Sequence, residues 1–503
     1  MQESIKSYRR ILKSATVIGG ASVVNVLIGL VRTKIIAVLI GPGGIALVSL
    51  YGGLVSTAAT FASMGIGTTG TRQIAEAFAK DDAHELQAVR RAIFWGALLL
   101  SSMGAIAVWS LRELLAVKVL GGPQYVDAVG WLALGVALSV ASSSQGALMQ
   151  GMRRIGEVAR LSVLSSLLYT ITGGALLWYF GQSCLIAYVL IGPLLSFLLG
   201  HWYVARLPKL AVEPVAMQNL LLQWKHLLRL GIPFMGAGIV GSLVSLWIRV
   251  KVDVTLGSDA LGHFQAAYTI SMQYIGFVLT AMGADYYPRL TGVIEDHPAA
   301  SRLVNEQTEV ALLLSAPVFI AMIGLAPWVI HLLYSAEFTP AVSVLRWQIL
   351  GDILKVASWP LGFVILATGA GNAFFWAESL VAVLMGVIIE VFLSEFGLNM
   401  TGIAFLLSYA ALLPMVYFFA RRRIGFRWDR NLLNLILTIF TLCLCTAEVS
   451  LRFWWGDILT VVLSLAFAAY TLSRIVAMGN VGGFPGRIQI FFEQWLDKWS
   501  FRK

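Results

Sequence analysis

The feature that most constrains this chain is a series of apolar runs, each about twenty residues long. A run of roughly 20 apolar residues is enough to cross a hydrocarbon core of about 30 Å as one helix. Charged residues make up only 12% of the 503 residues, whereas soluble domains carry about twice that share. The mean hydropathy of +0.81 agrees with this difference. The sequence therefore predicts an all-α polytopic membrane protein.

The runs fall into three groups along the chain, and together they predict about 14 transmembrane helices. The first group is 14–40, 45–66, 92–111, 126–150, 161–180 and 185–205, the second is 230–256, 261–286, 308–331, 341–367, 374–395 and 401–420, and the third is 432–450 and 457–476. The third group has no counterpart in the first half. The N-terminal run is longer than a signal-peptide core, so we expect it to be retained as a helix.

The chain contains an internal repeat, which is seen most clearly around the first turn between helices. The segment 30–51 reads LVRTKIIAVLIGPGGIALVSLY, and the segment 247–268 reads WIRVKVDVTLGSDALGHFQAAY. With a gap of one residue, the matched pairs are Arg32 with Arg249, Lys34 with Lys251, Gly41 with Gly257 and Tyr51 with Tyr268. Fixed spacing of this kind indicates a duplicated unit of about 216 residues.

The repeat predicts four regions. These are a six-helix bundle in 1–210, a second six-helix bundle in 211–430, two additional helices in 431–480 and an amphipathic cytoplasmic tail in 481–503. Because each half has an even number of spans, both halves have the same orientation, and their pseudo-twofold axis runs along the membrane normal. We therefore expect the substrate path to lie between the two bundles.

The distribution of lysine and arginine predicts the orientation. If the N-terminus is cytoplasmic, 27 of these residues lie in cytoplasmic segments and three on the opposite side, while six lie in predicted helices. The positive-inside rule then places both termini in the cytoplasm. The net charge of +10 mostly reflects this topology, so we expect no nucleic-acid partner.

Two pairs of cations lie inside apolar runs and are the first candidates for substrate binding. An ionised side chain at the bilayer centre costs about 2.5–3.5 kcal/mol on insertion scales, so it normally faces a wet cavity or a partner. Asn25 and Arg32 are seven residues apart and share a helix face, whereas Lys34 points elsewhere. Arg249 and Lys251 occupy the matching positions of the repeat. These five side chains are predicted to bind the anionic head of a substrate, and arginine suits a phosphate because its planar donors contact two oxygens together.

An alternative interpretation is that these cations reach from helix ends to lipid headgroups. Asp253 follows Arg249 by four residues, which is close enough for an ion pair that neutralises part of the charge.

A second set of charged residues is predicted to couple or gate transport. Asp352 and Lys355 are three residues apart on one helix and form either a structural ion pair or an ion-sensitive latch. Asp285, near the cytoplasmic end of its helix, is a capping or gating residue. Glu378 lies in the following span. No nucleophile elbow or zinc signature is found, and the three cysteines lack metal-ligand spacing, so we expect no enzyme, cofactor or metal site.

One stretch, 337–378, closely resembles the Wzx-type flippases for O-antigen and enterobacterial common antigen lipids, which belong to the multidrug/oligosaccharidyl-lipid/polysaccharide exporter superfamily. The matching residues are Phe338, Thr339, Trp347, Gln348, Gly351, Asp352, Leu354, Lys355, Val356, Gly362 and Glu378. Further matches are Lys34, Ala37, Val38, Gly41, Pro42, Gly44, Gly262 and Gln265. The resemblance covers about residues 14–430.

This resemblance implies two six-helix bundles in a V shape in the bacterial inner membrane. It also implies alternating access, in which an undecaprenyl-diphosphate-linked oligosaccharide, such as an O-antigen repeat unit, moves from the cytoplasmic to the periplasmic leaflet. The polyprenyl tail stays among membrane lipids, and a polysaccharide polymerase and a chain-length regulator are the expected partners. The two helices after residue 430 resemble the additional pair of peptidoglycan lipid flippases.

Three alternatives remain at this stage. A cation-coupled drug exporter or a peptidoglycan lipid flippase would share the fold, although a drug exporter favours an acidic, aromatic cavity. A membrane glycan polymerase or ligase belongs to another class of protein, and the internal repeat and short outer loops argue against it.

Overall fold

The computed structural model describes residues 2–80, 83–207, 217–453 and 455–477, and every regular element in these ranges is a helix. The prediction of an all-α fold is therefore confirmed. The sixteen α-helices of the described chain are α1 (Gln2–Ser63), α2 (Ile66–Ala79), α3 (Ala83–Ser110), α4 (Arg112–Leu120), α5 (Val126–Gly151), α6 (Ile155–Phe180), α7 (Leu185–Ala205), α8 (Met217–Leu256), α9 (Ser258–Val293), α10 (His297–Gly324), α11 (Ala326–Leu333), α12 (Ala341–Ala367), α13 (Gly371–Phe396), α14 (Asn399–Ile424), α15 (Arg430–Arg452) and α16 (Gly456–Ala477).

The predicted spans correspond closely to these helices. Ten stretches of the described residues are long and apolar enough to cross a membrane, and two of them, 19–63 and 155–205, each contain two predicted spans. The first two spans form one continuous element, α1, which is kinked at Gly41. Gly41 has φ +64°, a left-handed backbone conformation that only glycine adopts readily. The predicted Gly/Pro turn is therefore a sharp kink between two helices.

Two predicted spans differ from the structure. The run 45–66 crosses the end of α1 at Ser63 and includes Ile66, the first residue of α2. The run 308–331 is interrupted, because α10 ends at Gly324 and α11 begins at Ala326. At its other end α10 extends back to His297, where the side chain of Asp296 caps the helix by accepting from the Ala299 amide at 3.1 Å. Hydropathy marks only the apolar part of a helix, so it could not show this polar first turn.

The described chain groups into two compact units. The first contains the described residues up to 265 and the short segment 333–337, and the second contains the described residues in 266–332 and from 338 to 477. Helix α8 therefore belongs to the first unit. The predicted regions 1–210, 211–430 and 431–480 remain a prediction, and the predicted tail helix in 481–503 lies outside the described residues.

Within the second unit, α15 and α16 pack along α10 through hydroxyl groups. The hydroxyls of Ser450, Ser464 and Thr471 donate to backbone carbonyls of α10, each at 2.9 Å. The acceptor of Thr471 is the carbonyl of Leu313. Four residues later α10 has Pro317, which lacks the N–H that would otherwise bond this carbonyl. Thr471 thus supplies the donor that the proline removes, which matters in a bilayer where no water is available.

Candidate functional site

A cavity of about 370 Å³ lies inside the first unit, among α1, α5, α6 and α7. Twelve residues line it: Arg32, Ser142, Gly146, Gln150, Val158, Leu161, Ser162, Ser165, Ser166, Tyr169, Gly192 and Ser196. Five of the twelve are serines, so an otherwise mostly apolar wall has several hydroxyl groups.

Arg32 is the cation of this cavity. Its guanidinium carbon lies 4.8 Å from the centre of the Tyr169 ring on α6, at a distance typical of a cation–π contact. Within the described chain it forms no hydrogen bond or ion pair with another side chain, and it is half-buried. The cavity therefore has a positive charge whose counter-charge the described residues do not supply.

Asn25 lies on the same face of α1. Its side-chain amide donates to the Ser162 hydroxyl at 2.7 Å, while its Oδ1 atom is buried and has no hydrogen-bond partner in the described structure. Ser162 and Tyr169 are seven residues apart on α6, just as Asn25 and Arg32 are on α1. The shared face predicted from the sequence is thus the face that packs against α6.

The serine hydroxyls of the cavity differ from other hydroxyls in the same helices. Ser139 donates to the Gly135 carbonyl at 2.7 Å, and Ser144 donates to the Ala141 carbonyl at 2.7 Å. In contrast, the Ser165 hydroxyl is buried and has no partner among the described atoms. The hydroxyls of Ser142, Ser166 and Ser196 also make no hydrogen bond within the described residues. The wall therefore presents free hydroxyls to whatever enters.

Lys34 does not line this cavity, which agrees with its different helix face, and its predicted role in substrate binding stays a prediction. Its Nζ donates to the backbone carbonyl of Tyr334, in the segment 333–337 of the first unit. The neighbouring His263 Nε2 lies 2.9 Å from the Glu337 carbonyl of the same segment. Lys34 thus has a partner in the first unit, whereas Arg32 lines the cavity.

Arg249, on α8, also belongs to the first unit. Its Nε donates to Gln265 Oε1 at 3.2 Å, and a Cβ atom at Gly53 would lie 3.0 Å from its Nη1, so the guanidinium packs closely against α1. The Oδ1 atom of Asp253 is buried without a hydrogen-bond partner in the described chain, and its pairing with Arg249 stays a prediction. Gln265 is a partner of Arg249 that the four-residue spacing did not indicate. Lys251 is half-buried on the same helix.

In the second unit, Asp352 lies in the interior. Its side chain is fully buried, and Oδ2 accepts hydrogen bonds from the Ser271 and Tyr274 hydroxyls, both at 2.7 Å. Oδ1 has no partner in the described structure. One turn earlier on α12, Gln348 is also fully buried, and neither of its amide atoms has a partner there.

Lys355 does not join Asp352 in an ion pair in the described structure, although their charges interact. Its Nζ lies 3.3 Å from the Met272 sulfur and 5.6 Å from the centre of the Tyr409 ring. The charge of Glu378, on α13, also interacts with that of Lys355.

Asp285 is placed apart from these groups. It forms a partly exposed ion pair with Arg289, at 3.3 Å and one turn away on α9. Asp285 lies inside α9 and bonds a side chain of the same helix, so both the capping and the gating alternative stay predictions.

Sequence reasoning missed the α6 side of the cavity, and Ser271 and Tyr274, and it named Gln265 only as a matching residue without a role. Ser162, Ser165, Ser166 and Tyr169 recur three or four residues apart, which gives an otherwise apolar helix one polar stripe. That stripe was the signal in the sequence that could have indicated the α6 side of the cavity.

Comparisons with known proteins agree with the sequence resemblance. The profile of the family described as polysaccharide biosynthesis protein matches residues 11–293. The lipid III flippase of Escherichia coli (strain K12) is 24% identical over 382 residues, which cover 71% of this chain and 85% of that protein. The lipid III flippase of Shigella flexneri matches with the same figures.

Solved structures are similar in fold at lower identity. The lipid II flippase MurJ, in an inward closed conformation, has a TM-score of 0.70 and 12% identity and covers 92% of this chain and 100% of its own. An inward-facing MATE family multidrug resistance transporter of the MOP superfamily has a TM-score of 0.63 and 16% identity, with 80% of this chain and 94% of its own covered. Since the family profile spans more than half of the chain, this protein belongs to the polysaccharide biosynthesis protein family.

Proposed function

We propose that the protein is a flippase for a lipid-linked oligosaccharide, which it moves from the cytoplasmic to the periplasmic leaflet of the bacterial inner membrane by alternating access. The observation that carries this proposal is Arg32, a cation without an ion pair in the described chain, on the wall of a cavity within an apolar bundle. Such a cation needs an anionic ligand to compensate it. The diphosphate of an undecaprenyl-diphosphate carrier is an anion of this kind.

The physical difficulty of the transport lies in the diphosphate. It carries about two negative charges, and removing each ion from water into a low-dielectric interior costs several kcal/mol unless it is paired. Arg32 and Arg249 compensate this charge during transport, and arginine does so well because its planar donors contact two oxygens together. Lys34 and Lys251 contribute further positive charge, and Asn25 contacts the glycan.

The relatives support the same class of substrate, since the matched curated proteins are named lipid III flippases and one similar structure is a lipid II flippase. The substrate of this chain is an O-antigen unit or a similar polysaccharide repeat unit. Both termini lie in the cytoplasm. A polysaccharide polymerase and a chain-length regulator act next on the transported unit.

Gene deletion with complementation tests the function. Deletion should abolish the surface glycan and cause its lipid-linked precursor to accumulate, and the wild-type gene should reverse both effects. A gene carrying Arg32→Ala should reverse neither effect, although its product is present in the membrane at the same abundance as wild type. Unchanged surface glycan together with altered drug sensitivity would instead identify a drug exporter, and glycan of altered chain length would identify a polymerase.

Reconstitution provides a direct measurement of transport. Purified full-length protein in proteoliposomes should move a fluorescent undecaprenyl-diphosphate-linked glycan to the opposite leaflet, where a membrane-impermeant quencher distinguishes the two leaflets. Equal rates with and without the protein would overturn the proposal.

A further inference from the structure

A second cavity, of about 260 Å³, lies at one end of the second unit, where α10, α15 and α16 meet. Its charged lining consists of Arg302, Glu306 and Glu309 on α10, Asp429 just before α15, and Arg474 on α16. The proposed transport gives these residues no role. The cavity is therefore a candidate for a site of its own.

Two sets of contacts hold the walls of this cavity together. The Asn305 side chain donates to the Arg427 carbonyl at 3.0 Å and accepts from the Asp429 backbone amide at 3.2 Å, so α10 binds the segment that leads into α15. Arg474 forms an ion pair with Glu309 at 2.8 Å, which joins α16 to α10. The three helix ends are thus fixed by contacts that leave the other charged groups of the lining available.

Arg302 and Glu306 are two of these available groups. They are four residues apart on α10, a spacing at which opposite charges on a helix usually meet. On α2, Arg72 and Glu76 have the same order and spacing and form an ion pair at 2.7 Å. Within the described chain, Arg302 and Glu306 form no hydrogen bond or ion pair with each other or with another residue. Each therefore has a charge available to a ligand.

Asp429 and Arg474 add to this set. Asp429 precedes α15, but its carboxylate caps no backbone amide of that helix, and the Nε of Arg474 is buried without a partner in the described structure. Because Arg474 and Glu309 neutralise each other, the charges left in the lining are one guanidinium, on Arg302, and two carboxylates, on Glu306 and Asp429. A ligand that has both a phosphate and an ammonium group matches both signs of charge.

A metal ion matches the cavity less well. Among the described residues, no group of three or more His, Cys, Asp or Glu side chains is arranged to hold one. The guanidinium of Arg302 also repels a metal cation and leaves itself uncompensated. An organic ligand with two charges of opposite sign has neither difficulty.

The cavity lies at the level of lipid headgroups. The predicted apolar runs of α10 and α15 begin at 308 and 432, and that of α16 ends at 476, so every charge of the lining lies within six residues of one of these limits. Next on α15 come Leu433 and Leu437, which share one helix face and are 43% and 63% exposed. This leucine face continues from the cavity into the hydrocarbon, where acyl chains lie.

We propose that the cavity among α10, α15 and α16 binds the headgroup of a phospholipid that has a primary ammonium group, such as phosphatidylethanolamine, in the cytoplasmic leaflet. Arg302 and the Nε of Arg474 donate to the phosphate, and Glu306 and Asp429 accept from the ammonium group. The bound lipid joins the ends of the three helices and stabilises the second unit. This inference is independent of the proposed function, because it concerns a structural lipid and not the transported one.

Binding measurements on the purified full-length protein in detergent test the inference with three probes. Dioctanoyl phosphatidylethanolamine has the ammonium group, dioctanoyl phosphatidylcholine has a methylated group that donates no N–H hydrogen bond, and glycerophosphoethanolamine has the headgroup without acyl chains. We expect the first probe to bind at least about fivefold more tightly than either of the others, because only it has both charge-assisted hydrogen bonds from the ammonium group and acyl chains. Equal affinities for the two lipids would overturn the inference. Equal affinities for the first and third probes would overturn the assignment to a lipid.

Variants then locate the recognition. Glu306→Gln should lower the preference for phosphatidylethanolamine over phosphatidylcholine by about threefold or more, because the ammonium group loses a charged acceptor. Arg302→Gln should weaken binding of both lipids alike, since both have the phosphate. The control, Arg72→Gln with Glu76→Gln, removes charges of the same order and spacing on α2 and should keep every affinity within about twofold of wild type. A Glu306→Gln protein that keeps the full preference would overturn the inference.

Thermal unfolding provides a second readout of the same site. Dioctanoyl phosphatidylethanolamine should raise the Tm of wild type, and it should raise the Tm of Glu306→Gln by less. If Glu306→Gln is misfolded, Asp429→Asn is measured, and we expect the same selective loss of phosphatidylethanolamine binding. An equal loss for both lipids in a folded Asp429→Asn protein would contradict the inference.

Discussion

The guanidinium carbon of Arg32 lies 4.8 Å from the centre of the Tyr169 ring, which holds the cation against the cavity wall. Replacing Tyr169 by Leu removes the aromatic face, and a cation–π contact is worth about 0.5–2 kcal/mol. We therefore expect Tyr169→Leu to slow transport in proteoliposomes by about 2- to 30-fold. Tyr169→Phe keeps the ring and should remain within about twofold of wild type.

A matched control removes a similar contact outside the cavity. The guanidinium carbon of Arg206 lies 3.5 Å from the Trp202 ring, near the end of α7. Trp202→Leu should leave the transport rate unchanged. A comparable loss in Trp202→Leu and Tyr169→Leu would mean that both rings act through general stability.

Substitutions at Arg249 distinguish charge from geometry. Arg249→Ala should abolish transport, whereas Arg249→Lys keeps the charge without the Nε donor to Gln265 and should retain part of it. Asp253→Asn should have a milder effect. Surface glycan and the membrane abundance of each variant are the measurements. Normal surface glycan in Arg32→Ala combined with Arg249→Ala would contradict the proposal that these residues bind the diphosphate.

Two substitutions at Asp352 distinguish a role of this residue in folding from a role in transport. In Asp352→Asn the amide oxygen still accepts from Ser271 and Tyr274, so we expect a folded protein that has lost transport because the charge is gone. In Asp352→Ala both hydroxyls lose their acceptor, which should lower stability by about 1–3 kcal/mol. Thermal unfolding in detergent and transport are measured in parallel.

Exchanging Asp352 and Lys355 provides the complementary test. The two side chains have separate partners in the second unit. We therefore expect the protein with Asp352 and Lys355 exchanged to transport no better than the single Ala variants. Partial recovery relative to the single Ala variants would show that the two charges act as a pair during transport.

The contact between Thr471 and Leu313 predicts a coupled effect on stability. Thr471→Val should destabilise the protein by about 1–3 kcal/mol, because it leaves a carbonyl unpaired next to Pro317. In a Pro317→Ala background the new N–H bonds this carbonyl, so the same change should cost less. Thr446→Val is the control, since Thr446 donates to the Leu442 carbonyl within its own helix. Equal costs of Thr471→Val in both backgrounds would contradict the explanation.

Reporter fusions test the predicted topology of the last two helices. A reporter placed after Arg430 or after Arg474 should report the cytoplasm, and one placed near Trp454 should report the outer side. Trp454 itself lies outside the described residues, between α15 and α16. A cytoplasmic signal from the Trp454 fusion would mean that these helices do not cross the membrane as a pair.

Hydropathy alone located most of the helices, because a bilayer requires long apolar segments whose backbone is bonded internally. The predicted span 341–367 has the same bounds as α12. The residues of the Arg32 cavity were harder to predict from hydropathy. Arg32 is conspicuous as a charge in an apolar run, whereas Tyr169 and Ser165 are ordinary residues of a membrane helix until packing brings α6 against α1.

Local spacing also could not indicate one partner of Arg249. A separation of four residues favoured Asp253 as the partner of Arg249, but the start of α9 brings Gln265 to the guanidinium. That contact depends on how α8 and α9 pack, and periodicity within one helix has no information about it.

Helices α15 and α16 change which helices of the second unit contact lipid. In the most apolar stretch of α10, 67% of the residues are buried, compared with 22% in α16, so the additional pair takes over contact with lipid on this side. A polyprenyl chain that remains in the bilayer during transport cannot pass between α10 and lipid there. Its route around the protein must therefore follow a side that these two helices do not cover.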